Sequence, residues 1–176
     1  MIDKIKNTIT IIDSGFQTTE NKEFKGFYAD LYAFRKGRNF VFAQRDYFFF
    51  HDVDKRKINT DMAEKLHSAA REFVNSEYKV PKAMRLTVPN ITSVFVLDSF
   101  VDSRLIELAS KWTRSAIGGE IHQIIAVDFR SRTYYSQGTH TVQANVEGFT
   151  VSVKFKKIDP QNRAQYLIKS ILEMTQ

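Results

Sequence analysis

The chain of 176 residues contains no cysteine, only three prolines and seven glycines, and a single tryptophan. Without cysteine there is no disulfide framework, no thiolate nucleophile, no iron–sulfur cluster and no Cys-type zinc site. That suits a reducing compartment, and the cytoplasm is the expected location. No uninterrupted apolar run exceeds four residues, far short of the roughly 20 that a membrane-spanning helix requires. The stretch Ile9 to Ile12 is too short for the core of a signal sequence and stops at Asp13. A Walker-type loop, a GxGxxG turn and a GxSxG elbow are all missing, which removes the usual nucleotide-dependent and hydrolase-fold enzymes. With no internal repeat, low-complexity tract or Pro/Gly/Ser linker, residues 1–176 read as one domain.

What is present is ordinary in bulk and unusual in two respects. Hydrophobic residues make up 43% and charged residues 26%, close to a soluble globular average, so disorder is excluded. Aromatics reach 13%, fifteen of them Phe, and the net charge is +6. The charge is dispersed: sixteen basic residues face twelve acidic ones in 1–88, and ten face eight in 89–176. A dedicated nucleic-acid binder usually concentrates its cations. The Phe surplus suggests more apolar surface than a small core requires, and large apolar patches mark interfaces.

Periodicity predicts an α+β fold, a mixed and mostly antiparallel sheet packed with about four helices. Ile2, Ile5, Ile9 and Ile12 repeat at helical spacing over 2–13. Helix 60–78 carries the stripe Met62, Leu66, Ala69, Ala70, Phe73 and Val74 behind Thr60 as N-cap. Helices 101–115 and 160–174 follow, the first with Leu105, Ile106, Leu108, Ala109 and Trp112 inward and ended by Gly118-Gly119. The second opens at Asp159-Pro160 and buries Ala164, Leu167, Ile168, Ile171 and Leu172. Strands are expected at 25–34, 39–50, 84–88, 92–98, 121–128, 133–136, 140–146 and 149–156.

The first hairpin holds the densest chemistry. A two-residue turn at Lys36-Gly37 pairs Phe34 with Asn39, Tyr32 with Val41 and Asp30 with Ala43. Leu31 and Ala33 then share an apolar face with Phe42, while Tyr28, Asp30, Tyr32 and Phe34 share the other with Arg45. In this register Asp30 and Arg45 form a cross-strand ion pair. A second reading makes Tyr28, Tyr32 and Arg45 a ligand platform, with rings to stack a base and a guanidinium to meet a phosphate. Arg35, Lys36 and Arg38 crowd the tip, and Lys154, Lys156 and Lys157 end a later strand, as fingers that straddle phosphates do. The same lysines also discourage edge pairing.

An N-terminal helix followed by hairpin strands and a helix resembles the αβββαβ core of PD-(D/E)xK nucleases. The resemblance implies a strand Asp, filled by Asp30, and a (D/E)xK triplet holding a divalent metal. The following strand reads Phe42-Ala43-Gln44-Arg45, with no second carboxylate and Arg in place of Lys. Asp98 and Asp128-Phe129-Arg130 supply a D…DxR arrangement instead, at the ends of two apolar strands. If those strands are parallel neighbours, Asp98 and Asp128 lie side by side at one sheet edge, where open sheets bind ligands. Helix capping by Asp98, Ser99 or Asp102 and a turn at Asp128 are the structural alternative.

His51, His67, His122 and His140 show no ligand spacing, and His51-Asp52-Val53-Asp54 is the nearest approach to a metal set. No metal and no cofactor are expected. The functional expectation is therefore a non-enzymatic binding or interaction module, whose partner is another protein or a second copy of itself, away from any membrane. The alternative is a nucleic-acid-binding or degenerate nuclease-related protein.

Overall fold

The structure is a computed structural model that describes residues 1–39, 42–79, 81, 85, 88–98, 102–111, 120–136 and 163–175. The hairpin expected at 140–156, the basic group Lys154, Lys156 and Lys157, His140, Trp112, Gly118-Gly119 and Asp159-Pro160 lie outside the described residues.

The chain opens with helix α1 (Ile2–Ile12) and three strands, β1 (Phe16–Phe24), β2 (Phe27–Asn39) and β3 (Phe42–Asp52). A one-turn helix α2 (Val53–Arg56) and helix α3 (Thr60–Ser76) lead to β4 (Val88–Leu97). Helix α4 (Ser103–Lys111), strands β5 (Ile121–Asp128) and β6 (Thr133–Tyr135), and helix α5 (Arg163–Met174) complete the described elements. The six strands form one sheet in the order β1-β2-β3-β4-β5-β6. β3–β4 and β4–β5 are parallel, and the other three pairings are antiparallel. The α+β class stands, but the sheet is mixed rather than mostly antiparallel. The parallel centre follows from α3 and α4, because only a crossover returns the chain to the same strand direction. Through β4 the order is helix, three strands, two helices of which the first is a single turn, and strand.

Both sheet faces are covered. On one, Tyr32, Phe49, Phe95 and Ile124 pack under Leu66, Ala70 and Val74 of α3 and Leu105 and Ala109 of α4. On the other, Leu31, Phe48, Phe50, Val94, Ile125 and Val127 meet Ile5 and Ile9 of α1 and Leu167, Ile168 and Ile171 of α5. Strand β5 therefore reads as the unbroken run Ile124-Ile125-Ala126-Val127, apolar in both directions. Phe24, Phe48, Phe49, Phe50 and Phe95 are fully buried, and no Phe is among the exposed large apolar side chains of the described residues. The described part of the Phe surplus fills a sheet core used on two sides. Among the described residues no helix is long and apolar enough to cross a membrane.

Several local expectations change. Strand β1 has no alternating pattern, since Gln17 to Glu23 are polar and only Phe16 and Phe24 mark its ends. It is an outer strand, where charge and the left-handed Asn21 (φ 48°) suit a guarded edge. Asn59, not Thr60, caps α3 by accepting from the Met62 backbone N–H at 2.9 Å. Met62 is exposed, and Ala63 and His67 take its place on the buried stripe. Strand β4 runs without the expected break through Pro89-Asn90, with Pro89 beside Arg45 near its start, and residues 84, 86 and 87 of the strand expected at 84–88 lie outside the described residues. The hairpin register moves by eight residues: Phe34 pairs with Tyr47 and Tyr32 with Phe49, and Arg35 to Asn39 continue the strand. An even shift keeps every side chain on its face, so Leu31 and Ala33 stay opposite even-numbered β3 residues.

Candidate functional site

The C-terminal ends of β3, β4 and β5 and the start of β2 share one sheet edge. Five carboxylates gather there, and the backbone draws most of them into local structure. Asp30 is buried on β2 and receives Arg56 Nε at 2.8 Å, the Asp52 backbone N–H at 2.9 Å and Lys55 Nζ at 3.5 Å. Burial alone would raise its pKa; the Arg56 guanidinium, the Asp52 N–H and Lys55 outweigh burial and hold it below the ordinary carboxylate value. Asp52 caps α2 by accepting from the Lys55 N–H at 2.9 Å. Asp54 accepts the Asp98 N–H at 2.9 Å.

The structure does place Asp98 and Asp128 at neighbouring strand ends, with Leu97 beside Asp128 in a parallel pair. They differ in environment. Asp98 is exposed, whereas Asp128 is buried. Asp128 accepts from the backbone N–H groups of Arg130 (2.9 Å) and Ser131 (3.3 Å) and from Ser131 Oγ (2.7 Å). That is a turn-forming carboxylate. Arg130 itself points to an exposed position. Helix α4 is capped by Asp102, which accepts from Arg104 N and Leu105 N. Among the described residues no three His, Asp or Glu side chains are arranged to hold a metal.

The new register separates Asp30 from Arg45. Asp30 lies opposite the His51 position, six residues along β3 from Arg45, so its cationic partners are Lys55 and Arg56 of α2. Tyr28 and Tyr32 sit at the same distant end. Tyr28 is exposed, and Tyr32 is buried against Phe49 and Phe73 with ring centroids 5.2 and 6.4 Å away. Tyr28, Tyr32 and Arg45 are thus not brought together.

Arg45 finds another ring. Tyr78, just after α3, holds the Arg45 guanidinium 5.0 Å and the Arg85 guanidinium 4.3 Å from its centroid. Lys36 lies beside Arg45 across the β2–β3 ladder, with Nζ 5.8 Å from the Phe34 centroid. Arg35 is on the opposite sheet face and pairs with Asp13 at 3.0 Å. Arg38 pairs with Ala43 near the hairpin end. No carboxylate among the described residues pairs with Lys36, Arg45 or Lys79. Sequence reasoning missed this cluster because its four contributors come from two strands, a helix end and a connection.

A second grouping also lacked a sequence signal. Beneath α3, His67 Nδ1 meets Ser93 Oγ at 2.8 Å and His67 Nε2 meets His122 Nδ1 at 3.1 Å. Burial, together with His122 and Arg71, keeps the His67 pKa well below its ordinary value. Arg71 and Asn75 hold the buried Glu120 carboxylate close by. His67 and Ser93 have no exposed surface, so this serine–histidine pair has no route to a substrate and knits α3 to β4 and β5.

Compared with known families, curated proteins and solved structures, the chain matches none of them.

Proposed function

We propose that this chain is a non-enzymatic binding module that uses an αβββαβ-type sheet as a rigid platform. The observation that carries this reading is the fate of the edge carboxylates. Asp30, Asp52, Asp54 and Asp128 each accept hydrogen bonds from the chain's own groups. A metal-dependent hydrolase needs such oxygens free to ligate. A cytoplasmic location, fitting the lack of cysteine, and a protein partner, including a second copy of the chain, belong to the same reading. The test is incubation of the purified protein with Mg²⁺ or Mn²⁺ and single- and double-stranded nucleic acid. No cleavage is expected. Cleavage that disappears in Asp30→Asn would overturn the proposal and favour a nuclease.

A further inference from the structure

The Arg45–Tyr78–Arg85 stack sets two cations on one ring. Two guanidiniums on one ring lie no more than about 10 Å apart, close enough to repel. Arg85 also donates to Asn75 Oδ1 at 2.5 Å, which fixes the end of α3. Arg45 is half-buried and is held in place by the Tyr78 ring and by a hydrogen bond to the Tyr47 side chain. Lys36, opposite Arg45 in the ladder, and Lys79, next to Tyr78 in the chain, are exposed. Two acidic side chains lie nearby: Glu77 accepts the Tyr47 hydroxyl at 3.3 Å, and Glu120 is joined to Arg85 through Asn75.

We propose that this face, formed by Lys36, Arg45, Lys79 and Arg85 around Tyr78, binds the phosphodiester backbone of single-stranded nucleic acid. The inference rests on the binding-module reading and adds a nucleic-acid ligand to its protein partner. Several neighbouring cations suit a repeating anion better than one phosphate. Guanidiniums already ordered on a ring lose little freedom when they meet phosphate oxygens in fork geometry. Guanidinium planes and neighbouring rings also accept unpaired bases without reading their sequence. The remote carboxylate edge takes no part, so binding needs no metal.

The experiment is fluorescence anisotropy with a labelled oligothymidylate of about 20 nucleotides, titrated with the full chain at several salt concentrations. Binding at low salt that weakens steeply as salt rises is expected. Arg45→Gln/Arg85→Gln should lower affinity at least about tenfold and flatten the log–log salt slope by about 1 to 2. Lys36→Gln, at an exposed position that cannot compromise folding, should weaken binding about two- to fivefold, and Lys4→Gln on α1 should leave it unchanged. Should circular dichroism show the double variant unfolded, Lys36→Gln against Lys4→Gln decides alone. No binding by the natural chain, or equal weakening by both lysine variants, overturns the proposal. Equal affinity for a duplex of the same length overturns its single-strand element. These outcomes are independent of the metal-dependent cleavage assay, so the clamp can fail while the non-enzymatic reading stands.

Discussion

Replacing His51 by leucine is expected to stabilise the protein and to flatten its response to acid. The His51 ring has no exposed surface, stacks on Phe95 with centroids 5.3 Å apart, and lies 6.1 Å from Phe24. Both ring nitrogens are buried without a hydrogen bond of normal geometry. Burial lowers its pKa to about 4, against the nearby Asp30 carboxylate that opposes the shift. The unfolded chain titrates near 6.5, so between the two values the unfolded state takes up a proton that the fold refuses. Stability therefore falls as pH drops through this window, by about 1.4 kcal/mol per pH unit from this residue. From pH 6.5 to 5 the loss comes to about 2 kcal/mol, and leucine does not suffer it. At pH 7 the gain is smaller: about 1 to 3 kcal/mol from removing an unsatisfied polar group, less about 1 kcal/mol of lost ring stacking. Urea unfolding followed by circular dichroism at pH 7 and pH 5 measures both terms. His67 shifts in the same direction in both proteins, and His51 is the smallest of the causes of that shift, so most of its contribution cancels in the difference. Parallel pH profiles would refute the reasoning. A difference that shrinks in acid would mean that His51 takes its proton inside the fold, beside Asp30.

Asp30→Asn should cost about 2 to 3 kcal/mol at pH 7 by urea unfolding, because the partly exposed Arg56 can rehydrate while the Asp52 N–H loses its charged acceptor. Asp30 has a depressed pKa, so its contribution is present above the ordinary carboxylate pKa and is lost as pH falls through the lower folded value. The two proteins should therefore converge in strong acid. Phe49→Ala removes a fully buried ring that touches Phe24, Tyr32 and Phe73, and should cost about 3 to 5 kcal/mol in the same assay. Asn59→Ala should cost about 1 kcal/mol through the uncapped Met62 N–H, seen as a lower thermal midpoint. Gly26→Ala should cost about 1 kcal/mol purely through its backbone, whose φ is +79° with open space around the new methyl group.

Helices were legible where one face is apolar: α5 buries all five residues that its spacing nominates, while α1 buries Ile5 and Ile9 fully and Ile2 and Ile12 only in part, with Thr8 as an unforeseen buried residue. Strand β5 was legible at both ends because a continuous apolar run bounded by polar residues leaves little choice. Strand β1 was not, because an outer strand need not bury either side chain set. The hairpin register failed for a different reason. Arg35-Lys36-Gly37-Arg38 has turn composition, yet Arg35 is held by Asp13 across the sheet and the strand runs on to Asn39. Which partner faces Asp30 follows from that register, so the ion pair moved from Arg45 to Arg56 and Lys55. The Arg45–Tyr78–Arg85 stack and the His67–His122 contact join residues far apart in the chain, and no spacing rule reaches them.

The absences are legible in the residue order alone: no thiol chemistry, no phosphate loop and no long apolar span. Residue order also determined the alternation that assigns each residue of β2 and β3 to a face, since a period of two survives any even slip. Tertiary structure alone decided what sits opposite what. Parallel strands need crossovers whose packing is non-local, and a charge acquires its partner only when those crossovers close. The scarcity of cysteine, proline and glycine thus describes what the chain cannot do. Packing decided that Asp30, Asp52, Asp54 and Asp128 accept hydrogen bonds from the chain itself, and it left Lys36 and Lys79 exposed and Arg45 half-buried, none of the three paired with a carboxylate among the described residues.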